Sequence, residues 1–506
     1  MINPTLRLHT SDNVILARMD LEPGTHIPEE GLTCQERIPA GHKLATITIH
    51  PDEVVRKYGQ IIGFATCAIA PGQHVHTHNL AVMDFDRDYA FCADTKPTEF
   101  VEKALQATFE GFVRSEGDVG TRNYLGVLST VNCSASVCHM IADAFQKDAL
   151  ASYPNVDGVI ALSHEGGCCV APSGEGFEIL QRTLAGYIRH PNFAGVLLIG
   201  LGCEVNQVDS LLANMGLEIG PRLQPRVIQE AGGIQATVRE GVALLQEMAQ
   251  EASRAMRRTV PASHITLALE CGGSDAFSGI TANPALGIAV DMLINQGGTA
   301  ILSETPEIYG AEHVLTRRAV SRDIGEKLVS RITWWENYTA QFLQHLDNNP
   351  TPGNKAGGLS TILEKSLGAV AKGGTSNLVE VLHYAEAVKE HGLVFMDTPG
   401  NDAVSVTGMV AGGANLVCFT TGRGSVFGSK PAPTLKLATN SSMYHHMAED
   451  MDINCGLIAD GQSTLQQMGE KIFHTILKTA SGKQTQSEIM GMGDHEFVPW
   501  RIGPML

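Results

Sequence analysis

The spacing of apolar and polar positions changes character twice along the chain. Over residues 1–82 the apolar runs are short, at 14–19, 44–49 and 61–67, and the pairs Pro23-Gly24, Ala40-Gly41 and Pro71-Gly72 fall between them. Short runs punctuated by turn pairs predict strands, so this region reads as a small β-rich module. Residues 83–108 are mixed and charged, with Asp84, Asp86, Asp88, Lys96, Pro97 and Glu99, and read as a linker with a helix near 99–107. Beyond Gly111, apolar runs of five to eight residues alternate with amphipathic helical stretches. That alternation predicts an α/β fold with mostly parallel sheets. The expected strands are 124–131, 156–162, 195–199, 265–269, 300–303, 393–396, 416–420 and 434–437, with helices such as 135–147, 176–188 and 235–256. A Pro/Gly/Asn-rich segment at 348–358 interrupts the second half. The α/β region divides into two subdomains, 109–260 and 261–506.

Composition narrows the partners. A chain of 506 residues exceeds what one core usually supports, and 43% apolar residues provide for more than one. The formal charge of -18 argues against nucleic acid or an anionic membrane surface, and requires a local basic pocket if the substrate is an anion. Eleven cysteines, an odd number without a Cys-x-x-Cys pair, are too few for a disulfide scaffold. With no apolar signal region near Met1 and no run of membrane-spanning length, reduced thiols in a soluble cytoplasmic protein are expected.

The chemistry gathers where strands end. Four predicted strands run into Asn132-Cys133, into Ser163-His164-Glu165-Gly166-Gly167-Cys168, into Gly200-Leu201-Gly202-Cys203-Glu204 and into Glu270-Cys271-Gly272-Gly273-Ser274-Asp275. Open α/β sheets bind ligands outside the carboxyl ends of their strands. A single cysteine is ordinarily a small buried hydrophobe, but four at one topological position point to a site. Cys34, Cys67, Cys92, Cys138, Cys169, Cys418 and Cys455 lack that context and read as structural. Thiolates with an imidazole suit iron or zinc, and carboxylates admit manganese or magnesium. Gly200-Leu201-Gly202 does not complete a dinucleotide fingerprint, because Val205 stands where the third glycine belongs.

The basic pocket must come from the second half. Lys355 lies with Asn354 in the glycine-rich loop, Arg423 follows a strand in Thr421-Gly422-Arg423-Gly424, and Lys436 lies in another strand. Guanidinium suits a carboxylate, and lysine serves charge recognition or proton transfer. In the first module the histidine-bearing features are Gly41-His42-Lys43 and the segment 74–79, where alternation at His74, His76 and His78 would put three imidazoles on one strand face, as a metal site or as a solvated edge.

These segments resemble the altronate dehydratase family, which includes galactarate dehydratase and the sulfolactate lyases. The matching segments are Gly120-Thr121-Arg122-Asn123, Gly200-Leu201-Gly202-Cys203-Glu204, Cys271-Gly272-Gly273-Ser274-Asp275 through Thr281-Ala282-Asn283-Pro284, Pro352-Gly353-Asn354-Lys355, Thr421-Gly422-Arg423-Gly424 and Asp452-Ile453-Asn454. The first module is similar to a SAF domain through Asp12-Asn13-Val14, Gly41-His42-Lys43 and Lys57-Tyr58-Gly59, and the His74–His78 and Cys203–Gln207 segments are more like the altronate branch. Gly166-Gly167-Cys168-Cys169 departs from relatives that carry a bulky residue before Gly-Cys. The resemblance implies β-elimination of water from a hexonate such as D-altronate, or from a hexarate such as galactarate, to a 2-keto-3-deoxy acid, assisted by Fe(2+) or Mn(2+). Sulfite expulsion from a sulfolactate and a non-catalytic sugar-acid binding protein are the alternatives. The roles that follow make His164 or Lys355 the base and His42 an acid or metal ligand, with Asp275 catalytic. Cys133, Cys168, Cys203 and Cys271, with Glu204 and His76, form the metal set. Arg423, Lys436, Ser274, Asn283 and Asn354 hold the small anionic substrate. A homodimer is the expected assembly.

Overall fold

The computed structural model describes residues 3–502 apart from Asp84, Asp86 and Gln146, so those two linker aspartates and one position of the expected helix 135–147 lie outside the described residues. The first module is all β. Its strands pair antiparallel in sheets of four, three and two strands, and Val14–Ala17, Lys43–Ala45 and Gln60–Ala65 occupy the three runs expected there. Among its described residues the linker contains a single 3-10 turn at Lys103–Leu105 rather than the expected helix, and residues from Thr108 onward already form the strand Thr108–Val113. Leu105 is exposed there, so no apolar face is available to dock a longer helix.

Two parallel sheets follow. The smaller has the order Gly158–Leu162, Tyr124–Ser129, Phe193–Gly200, Leu223–Val227. The larger has seven strands, in the order Leu378–Leu382, Leu393–Met396, Thr299–Leu302, Thr266–Cys271, Leu416–Thr421, Thr434–Ala438, Ile453–Asn454. Its five middle strands are almost wholly buried, as expected for parallel strands covered on both faces, which is why they read as mainly apolar runs, with Glu270 and Lys436 as the charged exceptions. Leu223–Val227 and Leu378–Leu382 are half-exposed edge strands interrupted by Pro225 and Glu380, and they carry no comparable apolar run.

The cores cross the module boundaries. Val55, Ile62 and Ala65 of the first module share one cluster with Leu269 of the large sheet and with Leu286 and Leu367 of the helices Ala282–Asn295 and Ile362–Val370. Leu184 and Tyr187 share another with Met396, Met409 and Phe419. Polar clasps lock both seams. At the second, the buried Arg122 guanidinium donates from Nε to Glu488 Oε1 at 2.6 Å and from Nη2 to Oε2 at 2.8 Å, with further bonds to the Thr121 and Thr479 carbonyls. At the first, Lys43 Nζ donates to Glu364 Oε2 at 2.9 Å and Lys57 Nζ to Oε1 at 2.8 Å, with all three side chains buried. Burial alone would push the Glu364 carboxyl up, but the two ammonium groups hold it down at about 2.

Removing that carboxylate leaves two ammonium groups in the interior. Glu364→Gln is expected to lower unfolding stability by about 3–5 kcal/mol, the usual cost of breaking a buried pair from one side. Urea denaturation followed by circular dichroism measures it. A loss below about 1 kcal/mol would mean that the clasp does not hold the first module in place.

Candidate active site

In the large sheet the chain leaves Thr266–Cys271 toward Thr299–Leu302 on one side and later reaches Leu416–Thr421 on the other. Parallel sheets bind ligands at the carboxyl edge of such a switch point. Here that edge carries the 271–276 loop. Gly273 takes a positive φ of 61°, and Arg423 N donates to its carbonyl at 2.9 Å, which seats the exposed Arg423 on the loop. Asp275 is buried and fastens the loop. Its Oδ1 accepts from Ser278 N at 2.9 Å and Thr439 Oγ1 at 2.9 Å, and its Oδ2 from Asn440 Nδ2 at 3.1 Å. Ala276 N donates to Gly357 O at 2.9 Å and Asn354 Nδ2 to Ser274 O at 2.8 Å, so the 351–358 segment lies against the same loop.

Below the loop is a buried cluster of acids and amines. Cys271 Sγ lies 3.8 Å from Glu304 Oε2 and 3.7 Å from Glu307 Oε2. Lys365 Nζ donates to Glu307 Oε1 at 2.6 Å, and Lys372 Nζ is 3.3 Å from Glu304 Oε2. Glu270, Glu304 and Asp402 offer carboxylate oxygens within 4.8 Å of one another. Burial, then repulsion from Glu307, raises Glu304 to about 7 and Asp402 to about 6, and burial with the Glu304 charge raises Glu270 well above its usual range. Burial pushes the Cys271 thiol up to about 12, so it remains protonated. Glu304 also has a positive φ of 66°, a conformation that costs a non-glycine residue energy and collects at functional sites. Asp402 is only partly buried, and its carboxylate packs on the backbone of Gly272, where a Cβ would lie 2.3 Å from Oδ2.

The first module brings histidines to the other side of this loop. His42 Nδ1 and His74 Nε2 are 2.9 Å apart, and His42, His74 and His76 offer nitrogens that all lie within 4.8 Å. His42 Nε2 is 3.3 Å from Ala356 O, and His76 Nδ1 is 3.3 Å from Ser360 Oγ. Burial, then the neighbouring imidazoles and Lys43, lowers His74 to about 3 and His76 to about 4, and burial lowers His42 as well. Three neutral imidazoles at this spacing are a donor set whose chemistry fits iron(II). Lys355 is half-buried next to Ala356, on the short helix Pro352–Ala356.

The expected residues therefore separate into groups. Asp275 lies within the 271–276 loop, and His42, His76, Lys355 and Arg423 belong to the segments around it. The side chains of Asn283 and Asn354 are engaged in the scaffold: Asn283 donates to Gly368 O and accepts from Thr420 Oγ1. Ser274 is buried, with no hydrogen-bond partner for its Oγ. Lys436 Nζ donates to Ser425 O at 3.1 Å and supports the Arg423 loop from beneath. His164 belongs to the smaller sheet, where Nε2 lies 3.1 Å from Ser129 O and Nδ1 accepts from Gly166 N at 3.1 Å, so both nitrogens are occupied by backbone. Glu204 is likewise consumed, by Thr130 Oγ1 at 2.7 Å and the Leu201 and Gly202 amides. Cys133, Cys168 and Cys203 come together at the smaller sheet, and Cys271 lies in the acid cluster instead. The sequence reading passed over Glu304, Glu307, Glu364, Lys365 and Lys372. For Glu364 and Lys365 the available signal was one charged pair inside the apolar stretch Ile362–Val370, which is buried throughout.

Comparison with known proteins covers the chain in three parts. Residues 3–83 match the altronate/galactarate dehydratase SAF domain, residues 111–253 the second domain of D-galactarate dehydratase/altronate hydrolase, and residues 262–505 the C-terminal domain of D-galactarate/altronate dehydratase. The altronate dehydratase of Bacillus subtilis (strain 168) is 37% identical over 487 residues, covering 96% of each chain. The galactarate dehydratase (L-threo-forming) of Escherichia coli (strain K12) is 37% identical, covering 95% of this chain and 93% of its own. The altronate dehydratase of Escherichia coli (strain K12) is 36% identical, covering 96% of each.

The histidine trio sets a pH dependence. Folded pKa values of about 3 and about 4 lie below the unfolded value of 6.5, so the unfolded chain binds more protons between them. The stabilisation is complete above about pH 6.5 and lost as pH falls through that window. Glu304 and Asp402, with raised values, act in the opposite sense, so wild type must be compared with a His74→Asn/His76→Asn variant. Urea midpoints of metal-free protein at about pH 7.5 and about pH 5.5 should fall further for wild type than for the variant on acidification. Equal falls would show that the imidazoles are not buried neutral.

Proposed function

The chain belongs to the D-galactarate/altronate dehydratase family, and from that premise we propose that it dehydrates a hexonate of the D-altronate type to a 2-keto-3-deoxy acid. The observation that carries the reading is the meeting of His42, His74 and His76, Lys355, Arg423 and Asp402 around one loop at the switch point of the large sheet. The reaction removes the proton on the carbon beside the carboxylate and expels hydroxide from the next carbon. The resulting enol takes up a proton at the latter carbon and becomes the 2-keto acid.

Each step places a demand on the chain. The proton beside a carboxylate is weakly acidic, so charge developing on the carboxylate must be stabilised. Arg423 on the Gly273 carbonyl supplies a planar cation for that group. With Lys436 bonded to Ser425 O and Lys355 assigned to proton abstraction, Arg423 is the carboxylate grip among the expected cations, which suits a mono-carboxylate better than a hexarate. His164, with both nitrogens bonded to backbone, is set aside as the base in favour of Lys355. Asp402, raised to about 6 and partly exposed at Gly272, takes up a proton just below neutrality, far more readily than an ordinary carboxylate, and is the acid for the departing hydroxyl. A divalent ion held by His42, His74 and His76 would supply Lewis-acid polarisation of the substrate oxygens.

Anaerobically prepared protein supplied with iron(II) or manganese(II) should form 2-keto-3-deoxy acid from one hexonate in a panel of hexonates and hexarates. Chelation should abolish turnover. Product from a hexarate alone, or sulfite from sulfolactate with no dehydration, would overturn the hexonate reading. Lys355→Ala and Asp402→Asn should each lower kcat by roughly 10²–10⁴-fold with folding intact. Near-normal rates in either variant would remove that residue from the mechanism.

A further inference from the structure

The smaller sheet has an edge of its own that the proposed reaction does not use. Its three neighbouring strands Gly158–Leu162, Tyr124–Ser129 and Phe193–Gly200 lead into the loops that carry Cys168, Cys133 and Cys203. These loops are tied directly to one another. Asn132 N donates to Gly166 O at 3.1 Å, Asn206 N to Gly167 O at 3.0 Å and Val205 N to Cys168 O at 3.3 Å. Asn206 Nδ2 donates to Thr130 O at 3.0 Å. Gly167, at a φ of 96°, passes so close to Thr130 that a Cβ would lie 2.3 Å from the carbonyl oxygen. The Cys203 loop is wound around the buried Glu204 carboxylate, which accepts from Leu201 N at 3.0 Å and Gly202 N at 2.6 Å. This is a rigid scaffold, not a set of loose turns.

It presents exposed thiols. Cys133, Cys168 and Cys203 are all exposed, whereas Cys138, Cys271, Cys418 and Cys455 are buried. The bonds from Val205 N to Cys168 O and from Asn132 N to Gly166 O hold the loops of the three cysteines against one another, and Cys168 Sγ lies 3.8 Å from Cys169 Sγ. The sulfurs of Cys133, Cys168 and Cys203 are not among the groups of donor atoms that all lie within 4.8 Å of one another, so they are not set as a compact mononuclear zinc site, whose thiolates stand roughly 3.8 Å apart. Thiolates otherwise select iron–sulfide centres.

We propose that Cys133, Cys168 and Cys203 ligate an iron–sulfur cluster of the [4Fe–4S] type, leaving the fourth iron without a cysteine of this group. Each thiol loses its proton on ligation, and the soft thiolates select iron–sulfide over the harder divalent ions suited to the histidines. The site is separate from the histidine trio in position and in donor chemistry, and it stands whether or not the hexonate reading does.

The full-length chain, reconstituted under argon with ferric salt, sulfide and dithiothreitol, tests it. Acid-labile sulfide should reach about four per chain, with visible sulfide-to-iron charge-transfer absorption and an electron paramagnetic resonance signal after reduction by dithionite. Cys133→Ser, Cys168→Ser and Cys203→Ser should each lose most of the sulfide and the absorption while keeping the circular dichroism of the wild type. Cys67→Ser, at another exposed thiol, and His74→Asn should retain both. Iron without sulfide, zinc binding in its place, or a cluster indifferent to the three serine substitutions would each overturn the assignment.

Discussion

The Glu364 carboxylate, clasped between Lys43 and Lys57, is the constraint on which the catalytic half of the molecule depends. Three charges removed from water carry a large desolvation cost, and only close geometry offsets it. That geometry is present: each carboxylate oxygen takes one ammonium group, and Lys43 also donates to Gly358 O at 2.8 Å. Such an arrangement tolerates little displacement, so it fixes position as much as it stabilises. His42 precedes Lys43 in the chain, and Lys365 follows Glu364. The clasp therefore sets the histidine trio on one side and the Lys365–Glu307 pair on the other. A small β module and a large sheet from distant parts of the chain meet in one register because a single buried carboxylate is shared between them.

The same burial that makes the clasp costly makes the neighbouring acids useful. Glu270, Glu304, Glu307 and Asp402 crowd around Cys271, and they cannot all be ionised in a dry interior. Lys365 and Lys372 stabilise part of the negative charge. The remainder is relieved by protonation, which is why Glu304 and Asp402 titrate near neutrality. Asp402 lies at the exposed margin of that cluster, and Glu304 behind it can replenish a proton. The left-handed backbone at Glu304 is held by Glu304 N donating to Thr398 Oγ1 at 2.9 Å and Thr305 N donating to Thr398 O at 3.0 Å.

Much of this was legible in the sequence where chemistry follows topology. Apolar runs located the strands of both sheets because buried parallel strands are mainly apolar, and glycine-flanked cysteines marked their carboxyl edges. What the runs could not show was which edge belongs to which sheet. Cys133, Cys168, Cys203 and Cys271 look equivalent in sequence, yet strand order sends three to one sheet and the fourth to a buried acid cluster in the other. His164 followed a strand and looked available, but both its nitrogens are satisfied by backbone atoms at Ser129 and Gly166, a fact of turn geometry. The helix expected at 99–107 failed because propensity without an apolar face to dock cannot sustain a short helix. Glu364 and Lys365 were visible as charges in an apolar helix, but their partners lie about 300 residues away at Lys43 and Lys57 and about 60 away at Glu307, and no periodicity reports such a pairing.

The two sheet edges differ in what they can hold, and the difference follows from their ligand atoms. The edge of the large sheet faces neutral imidazoles, carboxylates and cations, a hard and protic environment suited to moving protons on an oxygen-rich anion. The edge of the smaller sheet carries exposed thiols on loops braced by Glu204 and Asn206, an environment for soft metal. What sets Cys133, Cys168 and Cys203 apart from the exposed Cys67 is that their loops are bonded to one another at one sheet edge. The imidazoles of His42, His74 and His76 come from the first module and the thiols from loops of the smaller sheet, so the two donor sets are built by different parts of the chain and differ in the softness of their ligand atoms.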